Sequence, residues 1–192
     1  QAEIMGLLAL MLLHESRRAA RMNATYDLIP LNEQDRALWN AEQIAEGCVL
    51  AEQALRTQRF GAYSLQAAIS AVHAEAPTSV STDWPQIVGL YDALLQLDPN
   101  PVVALNRAVA IAMRDGPAAA LPLVNALLQD ETLRNYHLAH AAQADLYRRL
   151  ARYPEALPAY RRAFSLTQQG SEQRFLQLRI DAIEALLSTP AQ

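Results

Sequence analysis

The sequence predicts an all-α fold of about nine helices that pack as antiparallel pairs, and three observations support this prediction. Ala, Leu, Gln, Glu and Arg dominate the 192 residues, while only 6% are aromatic and Gly is rare, a composition typical of helices rather than strands. Apolar residues recur at helical spacing along most of the chain. Short segments with Pro, Gly, Asp or Asn separate these stretches at similar intervals.

The first predicted helix contains an uncharged apolar run from Ile4 to Leu13. The run is about half of the roughly 20 residues that a bilayer requires, so it predicts no membrane span. Glu3 precedes the run and arginines follow it, the reverse of an export signal. The chain begins at Gln1 rather than Met, and we therefore expect it to be a segment of a longer polypeptide; a processed or tag-cleaved start is the alternative. The broad stripe predicts a helix packed on two sides. Its members are Ile4, Leu7, Leu8, Met11 and Leu12, and Leu10 and Leu13 widen it beyond one face.

The remaining helices are predicted from periodicity and from their start and stop signals. The complete predicted set is 3–21, 32–58, 64–76, 84–97, 102–114, 117–129, 131–150, 154–167 and 172–188. Asn32, Asp83 and Asn100 are candidate N-caps. Gly47 predicts a close approach of two helices, and Gly116 a left-handed turn between two others.

Charge and cysteine content exclude some function classes. The formal net charge is −4, which argues against a nucleic-acid-binding surface in this segment. Cys48 is the single cysteine, so it has no disulfide partner, and its apolar helical setting predicts an inert core residue. We expect a cytoplasmic protein.

The second half of the chain has an internal period. Tyr91 in LYDALLQLDP and Tyr160 in AYRRAFSLTQ lie 69 residues apart, which is two units of about 34 residues. A middle unit places Gly116 where the third unit has Ala151. The third unit resembles the tetratricopeptide repeat at Tyr147, Tyr153, Ala156, Tyr160 and Ala163.

That resemblance implies a right-handed array of helix pairs. We expect residues 1–80 to pack on and cap the array, and 81–192 to form the repeats with a C-terminal capping helix. A generic antiparallel helical bundle is the alternative, because Ala-rich amphipathic helices imitate this repeat easily.

Four blocks in order extend the resemblance over almost the whole chain. They read EIMGLLALMLLHESRRAAR, LNEQDRALWNAEQIAEG, YSLQAAISAVHAEA and TDWPQIVGLYDALLQLDPNPVVALNRAVAIAM. Together they resemble the C-terminal extension of bacterial extracytoplasmic-function RNA polymerase sigma factors. The resemblance implies a parent protein that initiates transcription. It implies as partners the sigma domains of the same polypeptide, core RNA polymerase, or a regulatory protein. Genes of this family often lie near those of small YCII-related proteins, which suggests a functional association with them. DNA would be contacted only through domains outside this segment.

A repeat array offers a concave face for a peptide or a partner helix. The repeat register places eight residues on that face: Asn106, Ala110, Met113, Arg114, Leu138, Asp145, Arg148 and Arg149. Asn106, Arg114 and Arg148 are candidates to bind a peptide carboxylate or backbone. The alternative is that these are ordinary solvated helix faces.

A second candidate surface comprises Asp35, Arg36 and Trp39, which follow Glu33 and Gln34. Trp beside Arg is typical of residues that anchor interfaces. Helix capping and intramolecular ion pairing by Asp35 and Arg36 are the alternative.

Catalytic and metal-binding chemistry is weakly supported. His137 and His140 lie three residues apart with Asp145 beyond them, but the spacing favours surface histidines over a metal site. No nucleotide-binding, nucleophile-elbow or zinc-protease motif occurs. We expect no cofactor and no catalytic residue. A stand-alone helical-repeat scaffold that binds a peptide or small protein is the second hypothesis, and a helical-bundle enzyme a remote third.

Overall fold

The protein is all-α. The computed structural model describes residues 1–188, and the only β contact within that range is an isolated antiparallel bridge between Met22 and Leu28. The predicted fold class is confirmed, and the helices pack in adjacent pairs, as a helical repeat array requires. No helix in the described range is both long enough and apolar enough to cross a bilayer. The helices are α1 Ala2–Glu15, α2 Ala41–Arg56, α3 Ala62–Glu75, α4 Trp84–Leu97, α5 Pro101–Arg114, α6 Pro117–Leu127, α7 Glu131–Arg134, α8 His137–Arg149, α9 Tyr153–Leu166 and α10 Gly170–Ser188.

The chain divides into two compact units, Gln1–Val103 and a second that begins at Ala104. In the first unit α1 packs on α2 and α3, α2 also packs on α3, and α3 packs on α4. In the second unit α6 and α7 pack on α8, α8 packs on α9, and α9 packs on α10. The two units meet in sequence within α5, and the division at residue 80 stays a prediction.

Helix α1 contacts both α2 and α3, so the predicted packing on two sides is confirmed, but of the predicted apolar residues Leu13 alone is fully buried there. Ala2, Gly6, Ala9 and Leu13 are buried, and their spacing of four, three and four residues places them on one side of the helix. The predicted stripe is wrong, because Ile4, Leu7, Leu8 and Met11 are exposed. The side with the small residues packs against α2 and α3, because small side chains allow the helix backbones to approach closely.

Two glycines make this close approach possible. A Cβ at Gly6 would lie 2.6 Å from the backbone nitrogen of Ser64 in α3. A Cβ at Gly47 in α2 would lie 2.7 Å from Leu13 Cγ and 3.3 Å from the Ala9 carbonyl oxygen. The prediction that Gly47 marks a close helix approach is therefore confirmed. Side chains at either position would force the helices apart.

Glu3 ties the start of α1 to the start of α3. Its carboxylate accepts hydrogen bonds from the backbone N–H groups of Gly61, Tyr63 and Ser64 at 2.9, 3.0 and 3.1 Å, and from Ser64 Oγ at 2.7 Å. The first N–H groups of a helix lack intrahelical partners, so a carboxylate there satisfies them and also complements the helix dipole. Burial alone would raise the pKa of Glu3, but these hydrogen bonds outweigh it and lower the pKa.

The first helix ends earlier than the sequence predicts, and the second helix begins later. After Glu15 the chain forms short 3₁₀ turns at Arg18–Ala20, Leu31–Glu33 and Arg36–Leu38. Helix α2 then starts with Asn40, whose side-chain oxygen accepts from Gln43 N at 3.0 Å. The predicted cap at Asn32 is therefore wrong. The physical reason is a tertiary contact, because Arg36 binds the C-terminal end of α3 and holds the preceding segment out of the helix.

A residue with positive φ occurs at each of the two turns that the predicted repeat register aligns. Gly116, between α5 and α6, has a φ of 93°, and Ala151, between α8 and α9, has a φ of 56°. Both residues thus have a positive φ, but Gly116, with a ψ of 162°, lies outside the left-handed α region, and the repeat register stays a prediction. Ala156, Tyr160 and Ala163 are buried, and Tyr147 and Tyr153 pack against the same cluster. The predicted roles of small residues and tyrosines in this unit are confirmed.

Two boundaries in the second unit differ from the prediction. The predicted helix 131–150 is split into α7 and α8. Asp130 accepts from Thr132 N to start α7, and His140 Nε2 lies 2.9 Å from the Arg134 carbonyl oxygen at the break. Helix α10 begins at Gly170, two residues before its predicted start at residue 172. The predicted N-caps Asp83 and Asn100 are confirmed, since they accept from Gln86 N and Val102 N at 2.9 and 2.8 Å.

Substituting Gly6 tests the close approach of α1 and α3. We expect Gly6→Ala to lower the free energy of unfolding by about 1–3 kcal/mol, because the added Cβ meets the Ser64 backbone. The matched control is Gly89→Ala in α4, where an added Cβ meets nothing within 4 Å. This substitution should stabilise the helix by up to about 1 kcal/mol. Urea denaturation measures both. Equal stabilisation by the two substitutions would contradict the packing.

Removing the Glu3 charge tests the link to α3. We expect Glu3→Gln to destabilise the protein by about 1–2 kcal/mol at pH 7. The folded pKa of Glu3 is depressed, so its contribution is present above the unfolded pKa and disappears as the pH falls through the folded pKa. The difference in free energy of unfolding between wild type and variant should therefore become smaller in urea melts below pH 4. Glu46→Gln, exposed on α2, is the control, and an equal effect there would refute the link.

Candidate functional site

The predicted concave face lies on α5 and α8, and the structure brings part of it together. Arg149 Nη2 donates to the Ala112 carbonyl oxygen at 3.0 Å, and Arg149 Nη1 lies 3.6 Å from Met113 Sδ. The arginine thus ties the last turn of α8 to the last turn of α5. A cation at the C-terminal end of a helix is also favoured by the helix dipole.

The other charged residues of this face pair within the chain. Arg114 binds its neighbour Asp115 through Nε and Nη2 at 2.9 and 2.7 Å. Arg148 binds Asp145 at 2.6 Å on α8, and the hydroxyl of Tyr160 also interacts with that arginine. Burial would lower the pKa of Arg148, but Asp145 and Tyr160 outweigh burial and raise it. The guanidinium groups expected to bind a ligand already hold carboxylates of this chain.

Of the remaining predicted positions on this face, Asn106, Met113 and Leu138 are exposed, whereas Ala110 is buried in α5. Ala110 therefore supports the fold and contributes no contact surface. Asn106 and Leu138 are available to a partner.

Asp35, Arg36 and Trp39 all make contacts inside the first unit. Asp35 caps a short turn by accepting from Ala37 N at 2.9 Å. Arg36 Nη1 donates to the carbonyl oxygens of His73 and Ala76 at 2.9 and 2.8 Å, at the end of α3. Trp39 is only 8% exposed, and the Arg36 guanidinium lies 4.3 Å from its ring centroid. The group therefore closes the C-terminal end of α3.

A second cation and a histidine surround this Trp39 contact. The Arg17 guanidinium lies 5.8 Å from the Trp39 ring, and burial, with Arg21 and Arg36 nearby, lowers the pKa of Arg17 to about 10. The His73 ring meets Trp84 edge-on at 5.2 Å. Burial, together with the charges of Arg17 and Arg36, lowers the pKa of His73 to about 4. His73 is therefore neutral at physiological pH.

The three residues considered for metal binding do not form a cluster. His137 Nε2 lies 2.9 Å from Glu172 Oε2 without hydrogen-bond geometry, His140 faces the Arg134 carbonyl oxygen, and Asp145 binds Arg148. Among residues 1–188 no group of three or more His, Cys, Asp or Glu side chains is arranged to hold a metal ion. Each residue thus has its own separate neighbour.

Cys48 lies half-buried on α2 and packs against the cluster formed by α1, α2 and α3. Burial, with Glu75 nearby, raises the pKa of Cys48 to about 11. The thiol is therefore protonated at neutral pH and a poor nucleophile. This setting agrees with the core role predicted from the sequence.

One concave feature was missed by the sequence analysis. An open cavity of about 420 Å³ lies between α8 and α9 in the second unit. Its lining comprises His140, Gln143, Tyr147, Pro154, Glu155, Pro158, Ala159 and Arg162. Tyr147 belongs to the repeat signature and Ala159 lies next to it. The repeat predicts that such residues pack between helices, so the sequence contained no signal for a groove.

The first part of the chain, residues 1–55, matches a family described as "Family of unknown function (DUF6596)". The chain is also 42% identical over 192 residues to an uncharacterized protein of Rhizobium meliloti (strain 1021), and this match covers all of the chain and 45% of the relative. The chain thus spans somewhat under half the length of that relative. No solved structure matches it. The relative therefore carries a segment similar to this chain within a longer polypeptide.

The depressed pKa of His73 predicts acid sensitivity. Its folded pKa lies below the unfolded value, so the unfolded state takes up the proton first as pH falls. Stability should therefore decrease between about pH 6.5 and pH 4, by up to about 3 kcal/mol.

Thermal melts across this pH range measure the loss, and His73→Phe should make it smaller while keeping the ring contact with Trp84. An NMR titration that finds His73 protonating near pH 6.5 in the folded protein would contradict this assignment.

Proposed function

We propose that this chain is a non-catalytic regulatory and protein-interaction extension of an extracytoplasmic-function sigma factor, whose parent polypeptide directs transcription initiation in the cytoplasm. The observation that carries the proposal is the order of four sequence blocks, from EIMGLLALMLLHESRRAAR to VVALNRAVAIAM, which resemble that extension. The paired helices support it, because such extensions are tetratricopeptide-like.

The length of the curated relative gives independent support for a module within a larger protein. More than half of that relative lies outside the region similar to this chain. The partners we propose are the sigma domains of the same polypeptide and core RNA polymerase, with a regulatory protein as a further one. DNA is contacted only through domains outside this segment, which agrees with its net charge of −4.

The α5–α8 surface is suited to reversible binding of a peptide or helix. Asn106 and Met113 offer an amide and a flexible apolar side chain to a partner. The ion pair between Arg114 and Asp115 is solvated, with about two fifths of each side chain exposed. Such a solvated pair contributes little to stability, so a carboxylate or phosphate of a partner replaces Asp115 at little cost. Arg149 meanwhile keeps the two helix ends in register.

The second candidate function is a helical-repeat scaffold that binds a peptide or small protein and has no role in transcription. The open cavity of about 420 Å³ between α8 and α9 favours it, because aromatic-lined grooves are typical sites for extended peptides. Tyr147 offers an aromatic wall and Arg162 a charged rim to an extended peptide. This candidate explains the groove but not the resemblance of the first hundred residues.

Binding and transcription assays distinguish the two functions. We expect the isolated chain to bind core RNA polymerase or the remainder of its own polypeptide, and Asn106→Ala/Arg114→Ala to weaken that binding at least about fivefold, roughly 1 kcal/mol. Arg56→Ala, which removes an exposed arginine paired with Glu52 on α2, is the matched control and should leave affinity unchanged.

Promoter-dependent transcription by the full-length polypeptide should change in the same double variant. Absence of binding to both proteins, together with unchanged transcription when this segment is deleted, would refute the sigma-factor proposal. Binding of a peptide in the α8–α9 cavity under those conditions would then establish the scaffold instead.

A further inference from the structure

The outer face of α1 is an exposed apolar stripe without a partner in the first unit. Ile4, Leu7, Leu8 and Met11 are 75%, 39%, 45% and 61% exposed. They lie at positions i, i+3, i+4 and i+7, so they cover one side of the helix over two turns. The opposite side, Ala2, Gly6, Ala9 and Leu13, is buried against α2 and α3.

The stripe is distinct from ordinary scattered surface apolar residues. From Ile4 to Leu13 the helix has no charged or polar side chain. Singly exposed apolar residues such as Val80 are normal, whereas a contiguous apolar patch indicates an interaction site. The close packing of Gly6 and Gly47 fixes the inner face, so the helix cannot turn its large side chains inward without separating from its neighbours.

The chemistry of the face defines its occupant. An uncharged stripe with i, i+3, i+4 and i+7 anchors fits the apolar side of another amphipathic helix. The charged groups at its ends are already engaged, since Glu3 binds the start of α3 and Arg18 binds Glu15 at 3.1 Å. Recognition by charge therefore contributes little, and the partner must supply branched aliphatic or methionine side chains.

The size of the stripe argues for a tethered occupant. Eight residues of α-helix, from Ile4 to Met11, extend about 12 Å. A stable complex between free proteins needs about 800 Å² on each partner, far more than one helix face of this length provides. A segment of the same polypeptide faces a smaller requirement, because tethering gives it an effective concentration in the millimolar range.

The comparison with the relative supplies such a segment. More than half of the Rhizobium meliloti protein lies outside its similarity to this chain, so the related polypeptide has ample length from which a helix could reach α1. We propose that the outer face of α1 docks an amphipathic helix contributed by the remainder of the same polypeptide. This inference rests on the proposed function in treating the chain as a module of a longer protein, and it names the surface that the module uses.

Cysteine labelling tests the docking without a disruptive substitution. In a Cys48→Ala background, Met11→Cys is reacted with a maleimide in the isolated chain and in the longer polypeptide that contains it. Docking predicts a labelling rate at least tenfold lower in the longer polypeptide. The matched control is Leu178→Cys, because Leu178 is 62% exposed on α10, and its rate should be the same in both.

A charge substitution tests the same contact from the other side. Ile4→Glu in the longer polypeptide, combined with Met11→Cys, should restore fast labelling, while the thermal stability of the isolated chain changes little because Ile4 is exposed there. Equal labelling of Met11→Cys in the isolated chain and the longer polypeptide would overturn the proposal.

Other occupants give different outcomes. Protection that already occurs in the isolated chain, and that rises with its concentration, would show a second copy on the stripe and overturn tethered docking. Protection that requires phospholipid vesicles would show that the stripe binds a membrane surface and would also overturn tethered docking.

The docking proposal and the proposed function fail separately. Protection in a polypeptide that does not support promoter-dependent transcription would refute the sigma-factor role and leave docking intact. Transcription that depends on this segment, with Met11→Cys unprotected, would refute docking and leave the sigma-factor role intact.

Discussion

The contact between α1 and α3 is the constraint on which the first unit depends. Gly6 lies directly against the Ser64 backbone, where no larger residue fits. One helical turn away, the Glu3 carboxylate satisfies three N–H groups at the start of α3. The steric contact fixes how close the helices lie, and the carboxylate fixes their register. Together they decide which side of α1 faces inward.

Several other features follow from this arrangement. With α1 and α3 held together, their C-terminal ends meet the segment that precedes α2. There Arg36 binds the last carbonyl groups of α3 and stacks on Trp39, while Arg21 donates to the His14 carbonyl oxygen near the end of α1. Arginines therefore close helix ends through backbone acceptors, and the all-Arg composition of the basic residues suits that role.

The sequence predicted the helices better than it predicted their faces. Local signals were sufficient for the caps at Asp83 and Asn100 and for the turn at Gly116, because each depends on residues within one turn of the chain. The prediction of the buried face of α1 was wrong, since apolar residues recur at helical spacing on both sides of this helix. The inner side is selected by distant contacts, with the Ser64 backbone, 58 residues after Gly6 in the sequence, and with Gly47 in α2.

The same distinction applies to the candidate site. Arg36 and Trp39 were identified as a pair, but their burial depends on α3, which no pattern in residues 33–39 reveals. Arg149 was placed on a binding face, and the structure adds that it ties α8 to α5. The cavity between α8 and α9 had no sequence signal, because the lining residues also suit helix packing. Residue types therefore indicated possible contacts, and tertiary structure determined which were internal.

Site-resolved hydrogen exchange of the first amides of α3 tests the central contact most directly. Helix-starting N–H groups ordinarily exchange fast, because they lack intrahelical acceptors. The contact with Glu3 predicts that the amides of Tyr63 and Ser64 are protected to nearly the level of the α3 interior. Exchange of these amides at the rate of an unprotected chain, while the interior of α3 remains protected, would contradict the account.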